Sequence, residues 1–504
     1  MRAGGEGVGR VAAEDERGPV GVVTSAEGPG LVASLERPSA GALRVRYDVR
    51  ATSDPHARPG EVVVAEDRFR GDGERLVLVP TGFEAIEAEV TVTIEGESIE
   101  APDAASSLGG GRARTRPAYG GALGRAFFLA GSLGRARFDD GIDHDEGAWL
   151  GYTAFDPRPA IAEVAQVRTA LRELWGGGGE PEHALFFVST RRPAGSYALA
   201  GRASSLVVYL GPSEPWSAPL RVGIAQHLMR AWVGGELRLQ APEAAGGAGA
   251  AWFSEGVSRY LAARALGRLG LLGPGDVQGF MNGLLAAQAT SALRGRGNAD
   301  AAALAERDAA ARAHLAAKGA LYAARVDAAL RSTSRGARSI DDVVRALLQR
   351  AREARGRPLP AEAWLDAVAG ELGPGERRAF DEQIVAGRDV VPPPGALGRC
   401  FRTRSGDYAA FALGFDAAAT FESPGRVVAG LDPRGPAAAA GLRESDVIDE
   451  VSFRDGDAGA PAVVAVARGG QKATLRYLPR GRSGRGPRFE RVPGLGDAAC
   501  APVL

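Results

Sequence analysis

Apolar residues change their spacing along this chain, and that change limits the fold more than any single motif does. Between residues 31 and 96 they alternate with polar ones, as in ALRVRYDVR, EVVVAEDRF, RLVLVP and AIEAEVTVTIEG. A period of two sends successive side chains to opposite faces of a strand. With Gly, Pro and Asp between the runs, this predicts an antiparallel β domain. From residue 251 to about 387 the spacing becomes three and four, with Val257, Leu261 and Ala265, then Tyr322, Val326 and Ala329, as examples. That is the spacing of helices with one buried face. A mixed stretch lies between, in which AFFLAG, ARFDD, AWLGYTAF, ALFFVST and SSLVVYL read as strands and residues 158–175 and 219–233 as helices. Three prolines at 392–394 end the helical region, and short strands and turns return from about 400 to 480. The fold class that follows is multidomain α+β.

The first 20 residues are polar and Gly-rich and predict as disordered. Residues 101–117 predict as a linker. Its Gly-Gly-Gly has no strand before it and no Gly-Lys-Ser/Thr after it, which excludes a phosphate loop. The chain's 504 residues leave room for about three domains. Its 61 basic and 61 acidic residues balance, so no net field favours nucleic acid or anionic lipid. No apolar run reaches the ~18 residues of a membrane helix, so no membrane span is expected. The N-terminus shows no apolar signal-peptide core. As written the protein reads as cytoplasmic, and as periplasmic or secreted if a leader is missing. Abundant Gly and Ala, with Arg far ahead of Lys, suit a GC-rich bacterial genome. The two cysteines, Cys400 and Cys500, bracket the C-terminal segment. They are either a bridge closing a loop of ~100 residues or two unrelated thiols, since spacing alone does not fix pairing.

Two segments carry the candidate chemistry: IAQHLMRAW at 224–232 and WFSEGVSRY at 252–260. A metallopeptidase helix needs His-Glu-x-x-His. The two His, four apart, share a face and reach one zinc, and the Glu between them is the general base. Here Gln226 stands at the first His, His227 at the Glu and Arg230 at the second His, while Glu255 keeps the position of a third ligand from the next helix. Sliding the register does not restore the site. With His227 as first ligand, Leu228 follows it and Ala231 stands at i+4, and His56, His144, His183 and His314 have no second His within four positions. His227 and Glu255 alone fall short of the three protein ligands of a catalytic zinc. Arg230 would also put a permanent cation in the metal's place. The plainer reading of each residue is structural: Glu255 beside a Ser254 helix cap, His227 a satisfied cleft histidine, and Trp232, Trp252 and Phe253 core packing.

The order of these segments resembles the glycyl aminopeptidase family of gluzincin metallopeptidases. WFSEGVSRYLAARALGRLGLL is similar to that family's third-ligand segment. Residues 318–347 are similar to a later helical pair, with Lys318, Gly319 and Ala320 at the family's Lys-Gly-Ala turn. Trp232 keeps a family Trp. Val233 replaces the usual Asn, Leu315 and Ala316 lie where tyrosines are common, and the connection from Arg230 to Glu255 is short. The resemblance implies an N-terminal β domain with its linker (21–120), a thermolysin-like α+β peptidase-like domain (121–395), a PDZ domain (396–485) and a tail (486–504). Ala412, Leu413, Gly414 and Phe415 resemble the PDZ carboxylate-binding loop, and residues 430–451 the helix and strand that follow. There a peptide would add to a sheet edge while backbone N–H groups of Leu413, Gly414 and Phe415 hold its terminal carboxylate. The expected function is a peptidase homologue without catalysis and without a cofactor, whose former cleft and PDZ domain bind peptide or protein. The alternatives are a zinc aminopeptidase with unconventional ligands and a PDZ adaptor on a large scaffold. In place of zinc, Arg230 is expected to pair with Glu255.

Overall fold

The computed structural model describes residues 2–3, 8–27, 30–81, 87–88, 103–108, 118–139, 144–151, 154–177, 183–202, 205–241, 247–423 and 425–500. They form two compact units, Met1–Ala165 with Glu180–Pro215, and Gln166–Gly179 with Trp216–Leu504.

The first unit is built on strands. Val8–Asp15 pairs with Gly18–Val20 on one side and Arg44–Val49 on the other, and Val22–Glu27 pairs with Gly30–Leu35. This corrects the expectation of disorder up to residue 20. Low apolar content misled there, because the anchor is polar. The buried Asp15 carboxylate accepts from Arg37 Nη1 at 2.5 Å, Arg37 Nη2 at 3.0 Å, and the backbone N–H groups of Arg17 and Ala40 at 2.8 Å. Arg37 above all holds that carboxyl well below the usual range. The linker reading is corrected as well, because Asp103–Ser106 is a strand paired with Phe127–Gly131, whose other neighbour is Arg68–Asp72. Of the AIEAEVTVTIEG run only Glu87–Ala88 is described, as a strand paired with Ala118–Tyr119, and the rest lies outside the described residues.

A five-stranded mixed sheet completes this unit, in the order Gly134–Asp139, His144–Leu150, His183–Ser189, Ser205–Leu210, Tyr197–Arg202. The second, third and fourth of these run parallel, and helix α1 (Pro157–Trp175) follows the second in sequence. Continuous apolar runs suit such central strands, which are covered on both faces. Phe186, Val188, Val207 and Tyr209 join Phe127 and Leu129 of the neighbouring sheet in one core. Sequence spacing missed the edge strand Tyr197–Arg202, whose small residues alternate weakly.

In the second unit, helix α2 (Ala218–Met229) is followed by a π-helical segment, Trp252–Val257, that runs into α3 (Ser258–Arg268). Helices α4 (Pro274–Thr290), α5 (Asn298–Ala305), α6 (Ala309–Thr333), α7 (Ile340–Glu353) and α8 (Glu362–Leu372) follow. Lys318, Gly319 and Ala320 lie in the middle of α6, which corrects the expected turn. No helix among the described residues is long and apolar enough to cross a membrane.

Past residue 400 a long ribbon, Phe401–Phe411 paired with Arg480–Arg491, lies against α4. Gln278 Nε2 and Asn282 Nδ2 donate to Phe489 O at 3.0 and 2.9 Å, and Phe489 N donates back to Asn282 Oδ1 at 2.9 Å. The ribbon therefore continues into what reads in sequence as a tail. Between its strands lies a small fold with the sheet Val447–Ser452, Ala462–Arg468, Gln471–Tyr477 over a core that includes Leu413, Phe415, Val428, Ile448, Val464 and Val466. Cys400 and Cys500 are joined in a disulfide.

Candidate functional site

Helix α2 starts at Ser217, whose Oγ accepts from Leu220 N at 3.4 Å, with a proline in the first turn. Leu220, Val222, Ile224, Ala225, Leu228 and Met229 are buried, and this packing fixes how the helix is rotated. Gln226 and Arg230, four apart, then share one flank. Arg230 is the cap residue just after the last helical position, because the chain turns there to bury Trp232 and Val233.

Glu255 meets that flank from the π-helical segment. Arg230 Nη2 lies 3.3 Å from Glu255 Oε1, and Gln226 Nε2 donates to the Glu255 backbone carbonyl at 2.9 Å. The structure thus brings Gln226, Arg230 and Glu255 together. The Arg230 side chain is 45% exposed and that of Glu255 23%, so water reaches the pair. His227, one position on from Gln226, points about 100° around the helix. Half-buried there, it is pushed down to about 4, first by burial and then by the Arg230 charge, and it is neutral at pH 7.

A close backbone approach carries the π-helical segment. A Cβ on Gly319 of α6 would sit 1.8 Å from Trp252 O, and one on Gly256 would sit 2.6 Å from Gly319 Cα. Two facing glycines therefore let the segment lie directly on α6, and such π-turns recur at functional sites. Ser254 lies inside this segment, with Oγ donating to Ala250 O at 3.3 Å, which corrects the reading of it as a helix cap. Behind Glu255, Trp252 packs on Phe253, Tyr322, Trp364 and Phe380 with ring centroids 5.1–6.1 Å apart. The aromatic residues of the motif are core.

Sequence reasoning missed the buried polar networks that hold these helices. Asp327 Oδ2 accepts from Tyr260 OH at 2.7 Å, Arg264 Nη1 at 2.9 Å and Arg331 Nε at 3.0 Å, while its Oδ1 accepts from Ile340 N at 3.0 Å. Glu376 accepts from Tyr322 OH at 2.8 Å and from Arg325 Nη2. The available signals were Arg264 four after Tyr260 and Arg331 four after Asp327.

These residues do not fit zinc. Of the four, only His227 and Glu255 are ligand types, and Glu255 already faces a guanidinium. Among the described residues no three His, Cys, Asp or Glu side chains gather as a metal site would need.

In the C-terminal fold, Gly414 has φ +87, a conformation that side chains resist. A Cβ there would lie 3.0 Å from Ala437 N, at the helical turn Pro436–Ala439. Among the described residues, the backbone N–H groups of Leu413, Gly414 and Phe415 donate to no partner, so three consecutive donors stand together. Leu413 O accepts from Tyr477 OH at 2.8 Å and Gly414 O from Asp432 N at 2.9 Å, which fixes the loop. The segment after the loop is the helix Ala417–Glu422, capped by Asp416 Oδ1 accepting from Ala419 N at 2.9 Å.

No family model and no curated protein matches this chain in sequence. Among solved structures, it is similar to an aminopeptidase N family protein from Idiomarina loihiensis, at 15% identity and a TM-score of 0.67, over 100% of this chain and 94% of that one. The chain therefore has an aminopeptidase N-like fold along its whole length. An M1 zinc metallopeptidase from Deinococcus radiodurans (19% identity, 78% of this chain and 87% of that one, TM-score 0.45) and yeast LTA4 hydrolase (11%, 79% and 64%, 0.42) are more distant in shape.

Proposed function

We propose that this protein is a non-catalytic homologue of gluzincin aminopeptidases, close in segment order to the glycyl aminopeptidases, that binds peptide or protein partners. The observation that carries the reading is Arg230 against Glu255, with Gln226 fastened to the Glu255 carbonyl. A cation bonded to the remaining carboxylate opposes zinc by charge, and a neutral His227 at the position of the general base gives no carboxylate to activate water. What remains is a peptidase-shaped surface with a guanidinium at its centre, suited to holding a peptide without cutting it.

The second contact is the C-terminal fold, read as a PDZ-like module. Its three consecutive N–H donors around Gly414 suit a peptide's terminal carboxylate. Addition of the peptide to an edge of the neighbouring three-stranded sheet would complete that carboxylate grip. The Cys400–Cys500 bond favours the periplasmic or secreted reading over the cytoplasmic one.

Two measurements test the reading. Metal analysis should find no stoichiometric zinc, and glycyl-peptide hydrolysis should be absent. Bound zinc with hydrolysis lost in Glu255→Ala would overturn it in favour of an unconventional aminopeptidase. Calorimetry across a library of peptide C-termini should find ligands whose affinity falls at least ~10-fold in Gly414→Val, which blocks the loop. Binding indifferent to that substitution would make the C-terminal fold purely structural.

A further inference from the structure

The chain contains only two lysines among 61 basic residues, and one of them, Lys318, is 2% exposed. Among the described residues its Nζ has no hydrogen-bond partner. One turn earlier on the same helix, His314 is 3% exposed and neither ring nitrogen has a hydrogen-bond partner among the described residues. Residues four apart on a helix are neighbours on one face, so two orphaned polar side chains lie together.

That face looks towards α5. Ala301, Ala302 and Ala305 of α5 pack on Ala311 and Leu315 of α6, and three residues separate the two helices. In an antiparallel pair rising about 1.5 Å per residue, the first turn of α5 is level with the 314–318 turn of α6. Asn298 begins α5. Its Nδ2 donates to Gly249 O at 2.9 Å, while its buried Oδ1 has no partner among the described residues. The segment Asp381–Val385, packed on both helices, adds the unbonded Oε1 of Gln383. Asp389 is the acid whose charge acts on both groups, but its carboxylate is occupied by Arg294, with Nε at 3.0 Å and Nη2 at 2.5 Å from Oδ2. Among the described residues Lys318 is left as a buried ammonium without a counter-charge of its own. Gly319, which faces the Glu255 segment, lies about 100–140° around α6 from Lys318 and His314, so this cluster is separate from the site described above.

We propose that Lys318, His314 and the first turn of α5 form a closed binding site for a small anion, a halide or a compact carboxylate, held as a structural ligand in the helical core. Water could meet the hydrogen bonds but not the charge, whereas an anion meets both. The Lys318 Nζ–H groups and the His314 N–H are the donors, and the N-terminal end of α5 adds its positive dipole. The alanines of α5 leave room only for a compact ligand. Burial pushes Lys318 down to about 8 and His314 down to about 4, the direction expected of bases that lack a counter-ion. Asp389 opposes both shifts, and Arg294 offsets that charge. Arginine could not serve here, since its planar fork is larger and needs a matching planar partner.

Bromide is the probe. Crystals of the full chain soaked in sodium bromide should show an anomalous peak within hydrogen-bond distance of Lys318 Nζ. In solution, chloride or bromide at about 100-fold over its Kd should raise Tm by a few degrees relative to sodium gluconate at equal ionic strength. Lys318→Met, which keeps the volume and removes the charge, should abolish the difference. With 13C-ε-lysine labelling the protein gives two signals, and bromide should move the Lys318 titration upward while leaving Lys472 unchanged. Ordered water alone at Lys318 after the soak, an equal Tm in bromide and gluconate, an unmoved Lys318 titration, or an equal halide response in Lys318→Met would each overturn the proposal.

Discussion

Arg230 is half in water, and that decides what it contributes. A buried ion pair broken by truncation strands a charge and costs about 3–5 kcal/mol. With the Arg230 side chain 45% exposed and a single contact of 3.3 Å, water replaces the partner instead. Arg230→Ala should therefore cost no more than about 1 kcal/mol, measured as a shift in denaturant midpoint. A loss above ~3 kcal/mol would mean the pair is sealed from solvent in solution. The histidines contribute more. His227 and His314 are both lowered from 6.5 to about 4 on folding, mainly by burial. The unfolded chain then binds their protons more readily than the folded one, so stability is full above about 6.5 and is lost as pH falls towards 4. Each should account for about 2–3 kcal/mol of acid destabilisation at pH 4.5. His227→Gln should flatten its share of the profile between pH 7 and 4.5. An unchanged profile would place His227 in water.

At the scale of elements, the glycines of α6 and α4 behave in opposite ways. Gly319 sits in mid-helix, where its missing side chain costs helix propensity but admits Trp252 O, which a Cβ would meet at 1.8 Å. Gly319→Ala should destabilise by about 2–3 kcal/mol because backbone, not a flexible side chain, stands in the way. Gly279 on the exposed side of α4 has nothing within 4 Å, and Gly279→Ala should stabilise by about 0.5–1 kcal/mol. Thermal unfolding of the two variants should move Tm in opposite directions. This contrast also marks what was legible in the sequence. Spacing located helices near 158–175 and 219–233 and the central strands, because their apolar runs meet the core directly. The family resemblance, not the spacing, put Gly319 in a turn, and from one sequence a glycine admitting a neighbouring backbone looks like one breaking a helix. The pairing of Arg230 with Glu255 was legible because helix geometry puts positions 226 and 230 on one flank. The Asp327 and Glu376 hubs and the Lys318 cluster were not, since each depends on elements more than 50 residues apart or on burial that composition does not report.

The whole molecule combines an aminopeptidase N-like fold with a C-terminal fold secured at its own ends. The ribbon Phe401–Phe411 with Arg480–Arg491 encloses the small sheet, lies on α4 through Asn282 and Gln278, and is closed by Cys400–Cys500 across 100 residues. A cross-link of that span restricts the unfolded chain by an entropy equivalent to about 4–5 kcal/mol. The hydrogen bonds to α4, and Val492 N donating to Cys400 O at 2.9 Å, do not depend on it. Cys500→Ser should therefore leave the fold intact while lowering the stability of the 401–491 region by up to about 4 kcal/mol. Hydrogen exchange can separate the regions. Amides of the ribbon should exchange faster in the variant, and those of α6, held by the Asp327 and Glu376 networks, should keep their protection. If α6 loosened equally, the C-terminal fold and the helical core would unfold as one cooperative unit. The loop at Gly414 would then be stabilised by the peptidase-like scaffold as much as by the small fold that carries it.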